Sequence, residues 1–292
     1  MAAQLQPLEN DQFPVNDLQL VNPKEDELFE GTDYVGNLLA SFDSYQLTDL
    51  SNANLMNRVD SKFILPMSFL PELLGELKSM YRVLDIAGKR CFSYYNQYLD
   101  TPAMDLYQAH HNGKLNRYKV RRRCYVDTAT EYLEVKLKNN QKRTVKTRIK
   151  LSTDKNNDAD CLEFLAQEMH GKYADLHVIQ QGGYKRMAFA NEEKAERLTL
   201  DFDLWYNSKD SDNQVKLPGF FIAELKQSKI SKSSPFYQLM SKHHIFPTSF
   251  SKYCIGCALL YPNQIKVNQF KSVLSRIKQL HRCEPLLPAE SN

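Results

Sequence analysis

The sequence predicts an α+β protein: a closed antiparallel eight-stranded β-barrel with helices packed outside it. Three observations lead there. Eight segments alternate with the period of two that marks a strand. Their connections are mostly short, many of hairpin size, whereas a parallel crossover needs a dozen or more residues. The helical segments carry one-sided apolar stripes that need a sheet face to cover.

At 292 residues and 42% hydrophobic, the chain has enough apolar material for a sizeable core. Residues 1–35 are polar, acidic and without sustained period, and read as a flexible tail. The folded domain is expected over 36–283, followed by a short tail at 284–292. It begins with a helix near 36–50 and a strand in NRVDSKFILP (57–66). In SFLPELLGELKSM (68–80), Ser68 is placed as an N-cap, Pro71 lies in the first turn, and Leu70, Leu73, Leu74 and Leu77 share one face, which predicts a helix. Strands follow at 91–99, 116–126, 131–138 and 144–151, then a helix at 159–170 closed by Gly171. Further strands are expected at 183–189, 197–206 and 220–227. Helices at 235–245, 251–261 and 266–282 end the domain, the last with Phe270, Val273, Leu274, Ile277 and Leu280 in one stripe.

The strands are two-faced. YLEVKLK sends Leu133, Val135 and Leu137 one way and Glu134, Lys136 and Lys138 the other. VKTRIK opposes Lys146, Arg148 and Lys150 to Val145, Thr147 and Ile149. YKVRRRCYV opposes Lys119, Arg121 and Arg123 to Val120, Cys124 and Val126, with Arg122 out of place on the second set. RLTLDFDLWY separates Leu198, Leu200, Phe202 and Leu204 from Arg197, Thr199, Asp201 and Asp203, and FFIAELK separates Phe221, Ala223 and Leu225 from Glu224 and Lys226.

A charged face ordinarily meets water. Here the apolar faces are wanted by the helices, and the charge is of one sign: residues 114–150 carry thirteen bases against three acids, whereas residues 1–50 carry ten acids and one lysine. Solvated faces usually mix both signs. If the strands close with helices outside, the cations point inward, where unpaired charge costs several kcal/mol per ion. An anion must share the space. Guanidinium forks and ammonium groups suit the oxygens of a linear polyphosphate, and carboxylates among them suit a divalent metal.

Nine stretches in order, RVDSKF, YLDTPAMDLY, KVRRR, YLEVKLK, VKTRIK, GYKRMAF, RLTLDFD, AELK and SFSKYCIG, spread over about residues 40–262, resemble the VTC domain. That domain is the catalytic module of polyphosphate polymerases in the vacuolar transporter chaperone complex and a branch of the triphosphate tunnel metalloenzymes, the CYTH-like superfamily. The resemblance implies a tunnel whose cations hold a triphosphate or growing polyphosphate while a glutamate holds Mn²⁺ or Mg²⁺. It carries a catalytic set of Arg121, Arg123, Lys136, Arg186 and Glu224 onto this chain. Phosphate-binding positions are Lys62, Lys146, Arg197, Ser251 and Lys252, joined on the same faces by Lys119, Lys138, Arg148 and Lys226. Glu224 matches the metal-binding glutamate, and Glu134 is a second candidate for metal or for orienting a lysine.

The function implied is transfer of the γ-phosphoryl of ATP to a polyphosphate chain. The alternatives are a triphosphatase acting on tripolyphosphate or nucleoside triphosphate, and a non-catalytic polyphosphate-binding regulatory module; single-stranded RNA binding through the basic strands is disfavoured. The acidic ExExK signature of CYTH triphosphatases is replaced by Arg58, Asp60 and Lys62, which favours the VTC branch. The SPX domain and membrane helices of the eukaryotic polymerase have no counterpart, so a membrane-protein partner in trans is expected.

Six scattered cysteines and an N-terminus without a charged-then-apolar pattern predict a cytoplasmic protein, associated with membrane only through that partner. Cys254 and Cys257 lack the second pair a zinc site wants and read as buried structural residues. His110–His111 and His243–His244 read as turn or surface residues, and Gly182–Gly183 as a turn before a strand. Tyr94, Tyr95, Tyr98, Tyr107 and Tyr125 interleave with basic strands and could stack bases, although barrel packing accounts for most of them.

Overall fold

The computed structural model describes residues 32–50, 53, 58–141, 143–151, 157–173, 175–209 and 213–282. Its strands are β1 (Ser44–Tyr45), β2 (Val59–Pro66), β3 (Arg82–Leu84), β4 (Cys91–Asp100), β5 (Arg117–Tyr125), β6 (Thr130–Lys138), β7 (Thr144–Leu151), β8 (His177–Asn191), β9 (Glu196–Ser208), β10 (Gln214–Leu217) and β11 (Phe220–Gln227). The helices are α1 (Thr32–Ala40), α2 (Leu70–Leu77), α3 (Asp105–His111), α4 (Asn157–Met169), α5 (Pro235–Lys242), α6 (Lys252–Leu260) and α7 (Lys271–Arg282). All eight strands expected from the alternation are present. The helix expected over 36–50 ends at Ala40, and α3, β1, β3 and β10 were not foreseen. Of the predicted tails at 1–35 and 284–292, residues 32–35 belong to α1 and the rest lie outside the described residues.

The main sheet runs β2-β11-β9-β8-β4-β5-β6-β7, antiparallel at every step. Its apolar faces point out and are covered by helices. On one half, Leu70, Leu73, Leu74 and Leu77 of α2 and Phe236, Leu239 and Met240 of α5 pack on Phe63, Leu65, Leu198, Leu200, Phe221 and Leu225. On the other, Leu106 of α3 and Met169 of α4 pack on Val120, Leu133 and Val135. Each such buried side chain contributes about 1.5–3 kcal/mol, which fixes the register: a one-residue slip would turn every one of them to the inner side. Arg122, out of pattern in the sequence, lies on this outer face and reaches Glu131 at 3.5 Å.

The closed barrel expected from the sequence is not what the pairing shows. The strand path ends at β2 and at β7, which do not pair with each other among the described residues. The reason is what lies inside. An eight-stranded barrel has room for side chains or one slim ligand, whereas here α6, expected outside, is lodged against the inner face. Gly256 is its contact point: a Cβ there would come within 2.4 Å of Gln180 Oε1 and 2.7 Å of the Tyr206 ring. The chain leading into α6 is tied to β2, the backbone N–H of Thr248 donating to the carbonyl of Lys62 at 2.7 Å.

A bulge makes the room. β9 gains a residue against β8 between Gly183 and Lys185, and Asp203 adopts a left-handed conformation with φ of 52°. The alternation therefore reverses. Leu204 and Tyr206, not Asp203, face inward beyond this point, where they join Ile64, Ile222, Ile255 and Leu260 in an apolar plug completed by Val273, Ile277 and Leu280 of α7. Gly182 and Gly183, expected in a turn, lie inside β8 beside this bulge; a Cβ on Gly183 would meet the Trp205 indole at 2.5 Å.

Candidate functional site

Between the plug and the opposite mouth, the inner face is a trough of charge. Its curvature is visible in which groups feel one another. Lys62 on β2 and Lys119 on β5 are five places apart along the strand path, roughly 24 Å in a flat sheet at ~4.8 Å per strand. Yet the charge of Lys62 acts on Lys119, and the Glu224 carboxylate of β11 acts on Lys136 of β6. The sheet has folded its two halves toward each other.

Three carboxylates anchor most of the cations. Glu134, fully buried, receives Arg121 Nε at 2.8 Å and a guanidinium NH2 at 2.5 Å, with Lys146 on its other oxygen. Asp201, equally buried, takes the Arg186 fork at 2.5 and 2.7 Å and also the Lys252 ammonium. Glu224 lies between Lys62 at 3.1 Å and Lys226 at 3.4 Å, and Lys226 also donates to Thr199 Oγ1 at 3.2 Å. Neutral groups hold the rest. Arg123 donates to Asn96 Oδ1 at 3.0 Å and to the Tyr184 hydroxyl at 2.7 Å. Lys119 donates to Ser251 Oγ at 2.9 Å, while that oxygen caps α6 by accepting from the Cys254 N–H. Ser251 thus brings the positive end of α6 into the trough.

Lys136 is different. Among the described residues it makes no hydrogen bond or ion pair, although it sits beside Glu134, Arg121 and Arg123 and faces Glu224 from across the trough. The Arg121 charge, then burial, then Arg123 push its ammonium well below the ordinary lysine value. Burial also lowers Lys119, and brings Lys146 and Lys226 down to about 8. The carboxylates go the other way. Burial opposes their ionisation, but Arg121 beside Glu134, Arg186 beside Asp201, and Lys226 with Lys62 beside Glu224 overcome it and hold all three below the usual carboxylate range.

The structure therefore gathers Lys62, Lys119, Arg121, Arg123, Glu134, Lys136, Lys146, Arg186, Glu224, Lys226, Ser251 and Lys252 around one space. Nine cations there face three acids. The other predicted positions lie at its margins. Arg148 is exposed, with its guanidinium over the Tyr132 ring at 4.3 Å; Lys138 lies exposed at the plug end; Arg197 is displaced toward the mouth, near Tyr45. Sequence reasoning missed Tyr184 and Asn96, which hold Arg123. Tyr184 could have been found from its spacing, two residues before Arg186 on the same face.

Among the described residues no three His, Cys, Asp or Glu side chains cluster to hold a metal. Glu224 alone still fits, because Mg²⁺-type ions are commonly held by one or two carboxylates and the phosphate oxygens of the ligand. Glu134 does not: it is enclosed by Arg121 and Lys146, and its geometry is that of an orienting group. His110 and His111 are structural, not at a turn or on the surface as expected: His110 Nε2 meets the Tyr118 carbonyl at 2.9 Å and His111 Nε2 meets Asn268 at 2.7 Å; His243 and His244 lie in the turn that follows α5, as expected. Cys254 and Cys257 are buried on α6, as expected.

A family model described as the VTC domain matches residues 57–261. Among solved structures, a candidate adenylate cyclase from Vibrio parahaemolyticus is 16% identical, the match covering 68% of this chain and 99% of that one with a TM-score of 0.41. Another from Bacillus halodurans is 13% identical, covering 67% and 94%, with a TM-score of 0.45. A candidate adenylyl cyclase from Hippeastrum, described as having a dominant triphosphatase activity, is 13% identical, covering 70% and 96%, with a TM-score of 0.44. Likeness this distant carries no argument about activity. A comparison with curated proteins gave no match.

Proposed function

The chain belongs to the VTC domain family, and on that premise we propose that its trough holds a polyphosphate chain and transfers to it the γ-phosphoryl group of ATP. The observation that carries this reading is Lys136, an inward-facing cation that makes no hydrogen bond or ion pair among the described residues, set among Arg121, Arg123 and the capped end of α6. A linear polyanion supplies the missing counter-charge. Phosphoryl transfer asks the protein mainly for alignment and charge neutralisation. Arg121 and Arg123, on alternate positions of β5, line up with Lys136 and Lys119 along the trough, and Lys62, Lys226 and Lys252 face them from the other half. The acceptor is already an anion, so no general base is required. A divalent metal, Mn²⁺ or Mg²⁺, bound at Glu224 would add charge neutralisation at the transferring group.

A second reading has an observation in its favour. Glu134, Asp201 and Glu224 are already ion-paired, which suits a module that binds polyphosphate without turning it over and regulates a partner. Among the described residues no helix is long and apolar enough to cross a membrane. A membrane partner in trans is part of the proposal and rests on the family resemblance alone. The test is incubation of the protein with ATP and Mn²⁺ followed by electrophoresis with polyphosphate staining. Long chains are expected, and Glu224→Gln should reduce them by about 10²–10³-fold, as loss of other electrostatic clamps does. Free phosphate alone would identify a hydrolase, and binding without turnover a regulatory module.

A further inference from the structure

The inner face changes character toward the mouth opposite α6. Arg121 and Arg123 are followed on β5 by Tyr125, which pairs across to Tyr94 on β4 and Thr130 on β6. Three tyrosines meet there. Tyr94 and Tyr125 have ring centroids 5.1 Å apart, and Tyr125 meets Tyr132 edge-on at 5.8 Å. Arginines flank them: Arg148 lies 4.3 Å over Tyr132, and Arg123 and Arg186 lie 5.3 and 5.1 Å over Tyr94. Tyr94 also stacks on Tyr184 at 5.1 Å with the planes 5° apart, joining this group to the charged centre.

Packing accounts for part of Tyr94 and for neither Tyr125 nor Tyr132. The other inner-facing aromatics, Phe92, Tyr98, Tyr184 and Tyr206, are buried, and Tyr98 and Tyr206 meet α6. Tyr94 is half-buried and packs against Phe92 and the apolar plug, whereas Tyr125 and Tyr132, also half-buried, belong to none of the hydrophobic clusters. From Arg121 to Tyr125 is four residues, roughly 13 Å at ~3.3 Å per residue, a reach that a triphosphate with its ribose spans.

We propose that Tyr94, Tyr125 and Tyr132, with Arg148, form a shelf that stacks the base of a nucleoside triphosphate whose phosphates run into the trough, so that the mouth selects a nucleotide donor over inorganic triphosphate. The inference rests on the phosphate-binding reading above. Stacking needs only a π-face, so the shelf accepts purines and pyrimidines and favours the larger purine surface.

Calorimetric titration of the full chain with ATP and with inorganic tripolyphosphate tests it. Tyr125→Leu and Tyr132→Leu should each weaken ATP binding by about 5- to 150-fold, the range that base–aromatic stacking is worth, and leave tripolyphosphate binding within about twofold of wild type. Tyr125→Phe, which keeps the ring, should bind ATP like wild type. If ATP affinity is unchanged in both leucine variants, or if both ligands weaken together, the shelf is refuted while the trough stands. Wild-type protein that binds neither ligand would overturn the trough itself.

Discussion

Replacing Lys136 with methionine separates a ligand-binding cation from a structural one, because the two roles give opposite signs. Methionine keeps most of the length and apolar surface of the lysine and removes only the charge. In the free protein that charge is opposed by two neighbouring guanidiniums, Arg121 and Arg123, and supported chiefly by Glu134. At ~7 Å, the spacing of diagonal neighbours on a sheet, and an effective dielectric of ~20, each interaction is worth about 2 kcal/mol. Glu134 cancels one repulsion, Glu224 from across the trough offsets part of the other, and burial opposes the charge further, which leaves Lys136 against the fold by roughly 1–2 kcal/mol after screening by solvent. Lys136→Met should therefore raise the urea midpoint of the free protein or leave it unchanged. A hydrogen bond from a charged group contributes about 1.5–3 kcal/mol, so tripolyphosphate affinity should fall about 10- to 150-fold. Equilibrium denaturation and calorimetry read the two effects separately. A variant that unfolds more easily while binding tripolyphosphate as tightly as wild type would refute the assignment.

Glu134→Gln should act in the opposite way: it strips a buried carboxylate from Arg121 and Lys146, costing about 3–5 kcal/mol, and saturating tripolyphosphate should raise its melting temperature more than that of wild type; equal shifts would contradict this. The lysines set a pH dependence. Lys146 and Lys226 near 8, with Lys119 and Lys136 also lowered, bind fewer protons folded than unfolded, where lysine titrates near ~10.4. The free protein should gain stability from these groups between about pH 8 and 10, whereas tripolyphosphate, which favours their charged forms, should bind more weakly there and take up protons at pH 8. Calorimetry in two buffers of different ionisation enthalpy measures that uptake, and none would count against the trough. Gly256→Ala should lose about 1–3 kcal/mol by overpacking against Gln180 and Tyr206, seen as a lowered melting temperature; an unchanged melt would mean α6 is not held as described.

Much of the site was legible because it is built from alternation. Period two places Lys119, Arg121 and Arg123 on one face of β5 and Glu134 and Lys136 on the matching face of β6, whatever lies further along the chain. What could not be read was which charges are already satisfied. Arg186 with Asp201 is a cross-strand pair, but Lys252 joins them from 51 residues away, and Lys119 meets Ser251 from 132 residues away. No local pattern encodes those meetings. The bulge at Asp203 also escaped, since one added residue reverses the faces of Leu204 and Tyr206 without disturbing the composition that marks a strand.

From composition and spacing alone, this chain determined its eight main strands, most of the helices that cover them and the inward sign of its charge, because burying apolar side chains leaves the alternate positions one place to go. Only the tertiary structure decided that β2 and β7 do not pair and that Lys136 makes no ion pair among the described residues, and that α6 fills one end of the sheet. Those outcomes depend on groups brought together across long stretches of chain, where packing volume and distance, not periodicity, choose the neighbours.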